Sequence, residues 1–170
     1  MWFLGIETHR HRAALTLLWA WVGLMVMLLE PAVRLSEVAH TGWVQSSPRP
    51  WLGYLIATLT MLYIEGYRGF HRAFSPAFAK RCLELATTQS RLQRLLAPLV
   101  AMGLVGVDRK TLRRMWTLTF MIVGFVIVIR QLPQPYRGMV DAGVAAALVM
   151  GALSSTWHLL RCLALGTDTH

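Results

Sequence analysis

The chain has 170 residues, 55% of them hydrophobic and only 15% charged, with a formal net charge of +9. A soluble domain carries about 25% charged residues, so the deficit argues against a water-soluble enzyme or binding module and points to a membrane protein. The Lys and Arg residues flank apolar runs instead of forming one basic face, which sets nucleic-acid binding aside and suits positive-inside topology.

Ala13–Leu29 is free of charge and, with its flanks, long enough to cross a hydrocarbon core of roughly 30 Å. The His9-Arg10-His11-Arg12 flank resembles the charged region of a signal peptide, but no small-x-small cleavage site follows. The segment therefore reads as an uncleaved first span. Glu30-Pro31 is expected to end or kink it, because proline lacks a backbone donor and clashes with the preceding turn. A polar loop is predicted for 31–50, with Pro50 opening the next helix.

Trp51–Phe70 gives a second span. At 100° per residue, Tyr54, Thr58, Met61, Glu65 and Arg72 fall near one line, a stripe that should face protein. His71 falls about 120° off that stripe if the helix stays regular. Ser75-Pro76 signals a fresh helix start. From Phe78 to Leu96 the pattern is that of a basic amphipathic helix. Phe78, Cys82, Leu85, Leu92 and Leu96 lie on one face, broken by Gln89, with Lys80, Glu84, Thr87, Arg91 and Arg94 opposite. It suits a membrane surface or the cytoplasmic end of a bundle. Leu99–Val107 is apolar but too short to cross. Asp108 is a cap for a third span over about 113–130, whose flanking Arg114 and Arg130 can snorkel. A proline-punctuated turn over 131–138 leads to the last span, about 139–161.

The expected fold is therefore an all-α integral membrane protein, a single membrane domain over 1–170. It has four spans (about 13–30, 51–70, 113–130 and 139–161) and a cytoplasmic or interfacial segment over about 71–112. With the N-terminus inside, thirteen of the seventeen Lys and Arg lie on the cytoplasmic side and only Arg34, Arg49, Arg130 and Arg137 outside. Both termini are thus placed in the cytoplasm, and the membrane is taken to be a bacterial inner membrane. Cys82 and Cys162 show no metal-ligand spacing and are expected as free thiols.

Three constellations stand out. Glu65 is an acidic residue inside an apolar helix, with Arg68 and Arg72 three and seven residues on. It is either a structural ion pair or a coupling carboxylate. Gly143, Ala147, Gly151 and Ser155 form a ridge of small residues that admits close helix packing. His158 projects from the centre of that ridge and, with His71, is a weak candidate for haem or metal ligation. No catalytic or metal-binding motif is present, and no cofactor is implied; Asp168 and the other acidic residues are scattered. The favoured function is a non-enzymatic subunit or assembly factor of a membrane complex. Its expected partners are the lipid bilayer and another membrane protein, or a second copy, met through the last helix. The alternatives are a small proton- or ion-coupled transporter using Glu65 and a haem-carrying redox subunit.

Overall fold

A computed structural model describes residues 3–46, 50–87, 90–106 and 108–165. The side chains of 3–10, Arg114, Leu118, Thr119, Met121 and Leu165 lie outside that description, as do Arg49, Gln89, Val107 and Asp168. All regular structure among the described residues is helical: α1 Phe3–Gln45, α2 Trp51–Met61, a π-helix Leu62–Phe74, α3 Ser75–Ala86, α4 Arg91–Leu95, α5 Ala97–Ala101, α6 Arg109–Arg130 and α7 Tyr136–Leu165.

Helix α1 runs through Pro31 for 43 residues, so the loop expected over 31–50 is for the most part helix. The reason lies in its buried stripe. Thr16, Ala20, Leu24, Leu28, Ala32, Ala39 and Gly42 recur every three, four or seven residues and are all buried. The polar residues that suggested a loop (Arg34, Ser36, Glu37, His40 and Thr41) are exposed on the other side. Burial of the continuing stripe offsets the one backbone bond proline removes. The i,i+4 pair Glu30–Arg34 brackets the proline.

Helix α7 is the centre of the bundle and touches α1, α2, the π-helix and α3. Its direction relative to them follows from who meets whom. Gly53 faces Met139, Gly66 faces Met150 and Gly151 faces Phe70, so α2 and the π-helix run parallel to α7. Tyr54 donates to the Ala39 carbonyl near Gly138, while Trp21 Nε1 donates to Thr156 Oγ1 at 3.0 Å, so α1 runs antiparallel to α7. The predicted ridge is the seam. A Cβ on Gly143 would stand 2.9 Å from the Ala57 carbonyl oxygen, and one on Gly151 2.7 Å from the Phe70 ring. Ala147 and Ser155 are fully buried. The ridge is thus filled by the chain's own helices, while Val149, Leu153, Trp157 and Leu160 of α7 remain exposed.

The expected amphipathic helix 78–96 is broken. Its first part, α3, buries Phe78, Ala79, Cys82 and Leu85 against α1, α5 and α7. The chain then restarts at Ser90, whose hydroxyl accepts from the Gln93 amide, and Leu92 is exposed rather than buried. The short apolar stretch after Leu96 becomes α5, which closes this end of the bundle with Ala97 and Ala101 fully buried. A turn with Gly103 at φ +80° and Gly106 at φ +74° follows, backbone that favours glycine. Arg81 donates to the Ala101 carbonyl across it.

Asp108 caps α6 as expected: Oδ2 accepts from the amides of Lys110 and Thr111 at 3.1 and 3.0 Å. Hydrogen bonding from the Thr111 side chain and these amides holds its carboxyl below the usual range, so it is charged and capping at neutral pH. None of the described residues of α6 is buried, and its contact with α7 is thin.

Among the described residues, three helical stretches are long and apolar enough to cross a membrane: His11–Gln45, Arg109–Arg130 and Tyr136–Ala164. The expected second span is helical throughout but changes register at Leu62, and its 11-residue α2 is too short alone.

The seam yields a direct test. Gly151→Leu forces a branched side chain into the Phe70 ring and should destabilise by about 1–3 kcal/mol. Leu148→Ile, half-buried on a neighbouring face, should cost less than about 1.5 kcal/mol. Thermal unfolding in detergent compares them, and equal losses would remove the seam from its central place.

Candidate functional site

The site lies where the π-helix meets α7. An i→i+5 ladder winds roughly 4.4 residues per turn, about 82° each, instead of 100°. Glycines 66 and 69 leave room for the wide turn, and Gly66 is buried against Met150. Aromatic residues four apart then stack along it. Tyr63 lies on Tyr67 (6.2 Å between centroids) and Tyr67 on His71 (5.6 Å), while Phe70, Phe74 and Phe78 form a second ladder.

The register change rearranges every candidate on this segment. Over seven residues, 82° steps carry Arg72 to roughly the opposite side of the axis from Glu65, whereas α geometry would return it to the same line. Arg68 and Arg72 are accordingly exposed, Glu65 is half-buried, and among the described residues Glu65 forms no salt bridge. The expected stripe from Tyr54 to Arg72 holds only as far as the register does. Tyr54 and Met61 face α1 and α7, and Arg72 does not.

His71 is rotated the other way, into the seam. Its Nδ1 is 2.8 Å from the Ser154 hydroxyl, and its ring centroid is 5.1 Å from that of His158 with the planes tilted by 54°. One turn on, Ser75 and Ser155 share a hydrogen bond of 3.0 Å, both fully buried. Ser75 therefore does not cap a new helix: the chain is helical on both sides of it, with Pro76 in the first turn of α3. The Nε2 atom of His158 is buried with no hydrogen-bond partner among the described residues.

Two imidazoles and a serine hydroxyl in contact can share and relay a proton, since each ring nitrogen is donor or acceptor according to tautomer. The pair suits haem poorly. Rings touching at 5.1 Å leave no slot for a macrocycle between them. Among the described residues no three His, Cys, Asp or Glu side chains gather as a metal site.

A second polar cluster, at the other end of the seam, is one the sequence reading passed over. Asp141 is buried and lies 3.5 Å from Arg137 Nε, close enough for an ion pair but without hydrogen-bond geometry. Tyr54 and Gln134 surround Gly138 beside it, and Gln134 Oε1 accepts from the Gly138 amide. The i,i+4 spacing of Arg137 and Asp141 was the available signal.

No family model, curated protein or solved structure matches the chain.

The His71–Ser154 contact can be weighed directly. Ser154→Ala should lower stability by about 1 kcal/mol, the usual net value of such a bond. Combined with His71→Phe it should cost less than the two single changes together. Strict additivity in a double-mutant cycle of thermal unfolding would show that the 2.8 Å contact contributes nothing.

Proposed function

We propose that the chain is an integral membrane protein of four spans with both termini in the cytoplasm. It serves as a non-enzymatic subunit or assembly factor, holding a helix of a partner membrane protein against α6. The carrying observation is α6 itself, a 22-residue apolar helix with none of its described residues buried. Membrane helices associate by packing, through faces that let backbones approach, because lipid tails give no hydrophobic drive between them. Gly124 offers such a face: a Cβ there would meet nothing within 4 Å. Trp116, Phe120, Ile127 and Val128 supply apolar surface along the same helix. The threading is supported by the helix directions, α1 opposed to α2 and α7, and by the positive-inside count.

A photoreactive residue at Val123 or Ile127 should cross-link to another membrane protein in intact membranes, and Gly124→Leu should weaken that product while leaving thermal stability unchanged. Cross-links to lipid alone would overturn the partner. Single cysteines at Gln45 and Gln134 should label from outside in a Cys162→Ser background, and those at Ser90 and Thr111 should not. Cys82 can remain, since burial pushes its thiol up to about 12. Outside labelling at Thr111 would overturn the four-span threading.

A second reading has one observation in its favour: Glu65 is half-buried on a π-helix without a salt bridge among the described residues. A coupling carboxylate would give proton-linked flux in proteoliposomes that Glu65→Gln abolishes without loss of folding. Flux equal in both proteins would dismiss it.

A further inference from the structure

Helices α1 and α4 enclose an open groove of about 580 Å³ lined by Arg12, Leu15, Thr16, Trp19, Arg91, Arg94 and Leu95. The α1 residues recur at 12, 15, 16 and 19, one face of a helix at the start of its apolar run. Trp19 Nε1 donates to the Leu95 carbonyl at 3.0 Å, which ties the two walls together. Two chemistries meet there. Three guanidinium groups line the groove with no carboxylate among its described lining residues, and Arg12 and Arg91 are exposed. Leu15 is 65% and Leu95 69% exposed, an apolar surface directly beside the cations.

We propose that this groove binds an anionic phospholipid, its phosphate held by Arg12 and Arg91 and an acyl chain lying along Leu15, Trp19 and Leu95. Planar guanidinium forks match phosphate oxygens in pairs, and the exposed Arg12 and Arg91 on facing walls suit an anion between them. A free phosphate ion would use the arginines but leave the leucines and Trp19 in water. A lipid covers both. Basic pockets between helices on the cytoplasmic side suit such headgroups. The inference rests on the membrane reading proposed above.

The test uses the full chain purified in a neutral detergent, with thermal unfolding followed during titration by phosphatidylglycerol, phosphatidylcholine or inorganic phosphate. Phosphatidylglycerol should raise the unfolding midpoint, and the other two should not. Arg12→Gln and Arg91→Gln should each weaken the apparent affinity for phosphatidylglycerol roughly fivefold, as expected for one cation at a membrane surface. Arg34→Gln, farther along α1, should leave it unchanged. Equal shifts with phosphatidylcholine, a shift reproduced by phosphate alone, or an unaltered Arg12→Gln/Arg91→Gln double variant would each overturn the site. A chain that stays monodisperse without detergent would instead sink the membrane reading beneath it.

Discussion

The bundle depends on how closely α7 can be approached. At Gly143 the neighbouring contact is the backbone of α2 itself, and at Gly151 it is the flat side of Phe70. Side chains of ordinary size at these positions would push α2 and the π-helix away, and with them the residues they carry. Close approach then lets weak, short-range terms act along the whole seam: dispersion between packed atoms, the Ser75–Ser155 bond and the Tyr54 bond to Ala39. It also explains why α1 stays helical past Pro31. A stripe of alanine and glycine facing a helix already held close gains more from continuing than the missing amide loses.

On this frame the π-helix acts as a change of phase. Before Leu62 the second helix presents Tyr54 and Met61 to its neighbours; after it, the wider turn presents Gly66, Phe70 and His71. Two histidines 87 residues apart in sequence are thereby brought into contact, and a carboxylate and two arginines that share a face in α geometry are separated. Aromatic rings in stacked and edge-to-face contact run along the segment that carries the altered register, so the side chains themselves help hold the wide turns.

Much of this was legible in the residues. The small-residue ridge, the Asp108 cap, the apolar runs of α6 and α7 and the inward projection of His158 all follow from periodicity and capping chemistry, and the structure has them. What was not legible has two physical causes. Polarity between Arg34 and Thr41 hid a helix, because the signal that mattered was the spacing of Ala32, Ala39 and Gly42 and not the mean character of the stretch. The second cause is the register itself. Every angular argument about Glu65, Arg68, Arg72 and His71 assumed 100° per residue, and local sequence gives no sign of an i→i+5 ladder beyond a pair of glycines among aromatics. The break after Ala86 was likewise obscured by an apolar pattern that continues across it.

The length of α1 has a mechanical consequence. At 1.5 Å per residue its 43 residues extend for roughly 64 Å, about twice the thickness of a hydrocarbon core. Seated in a bilayer, such a rod stands out of it as a mast, and α7, braced against it from Trp21 to the Gly42 level, keeps it from bending at Pro31. His40 and Thr41 stand level with Tyr54 and Gly138, in the first turns of α2 and α7, so the length of the rod beyond its neighbours lies on the other side of Trp21, toward its N-terminal end.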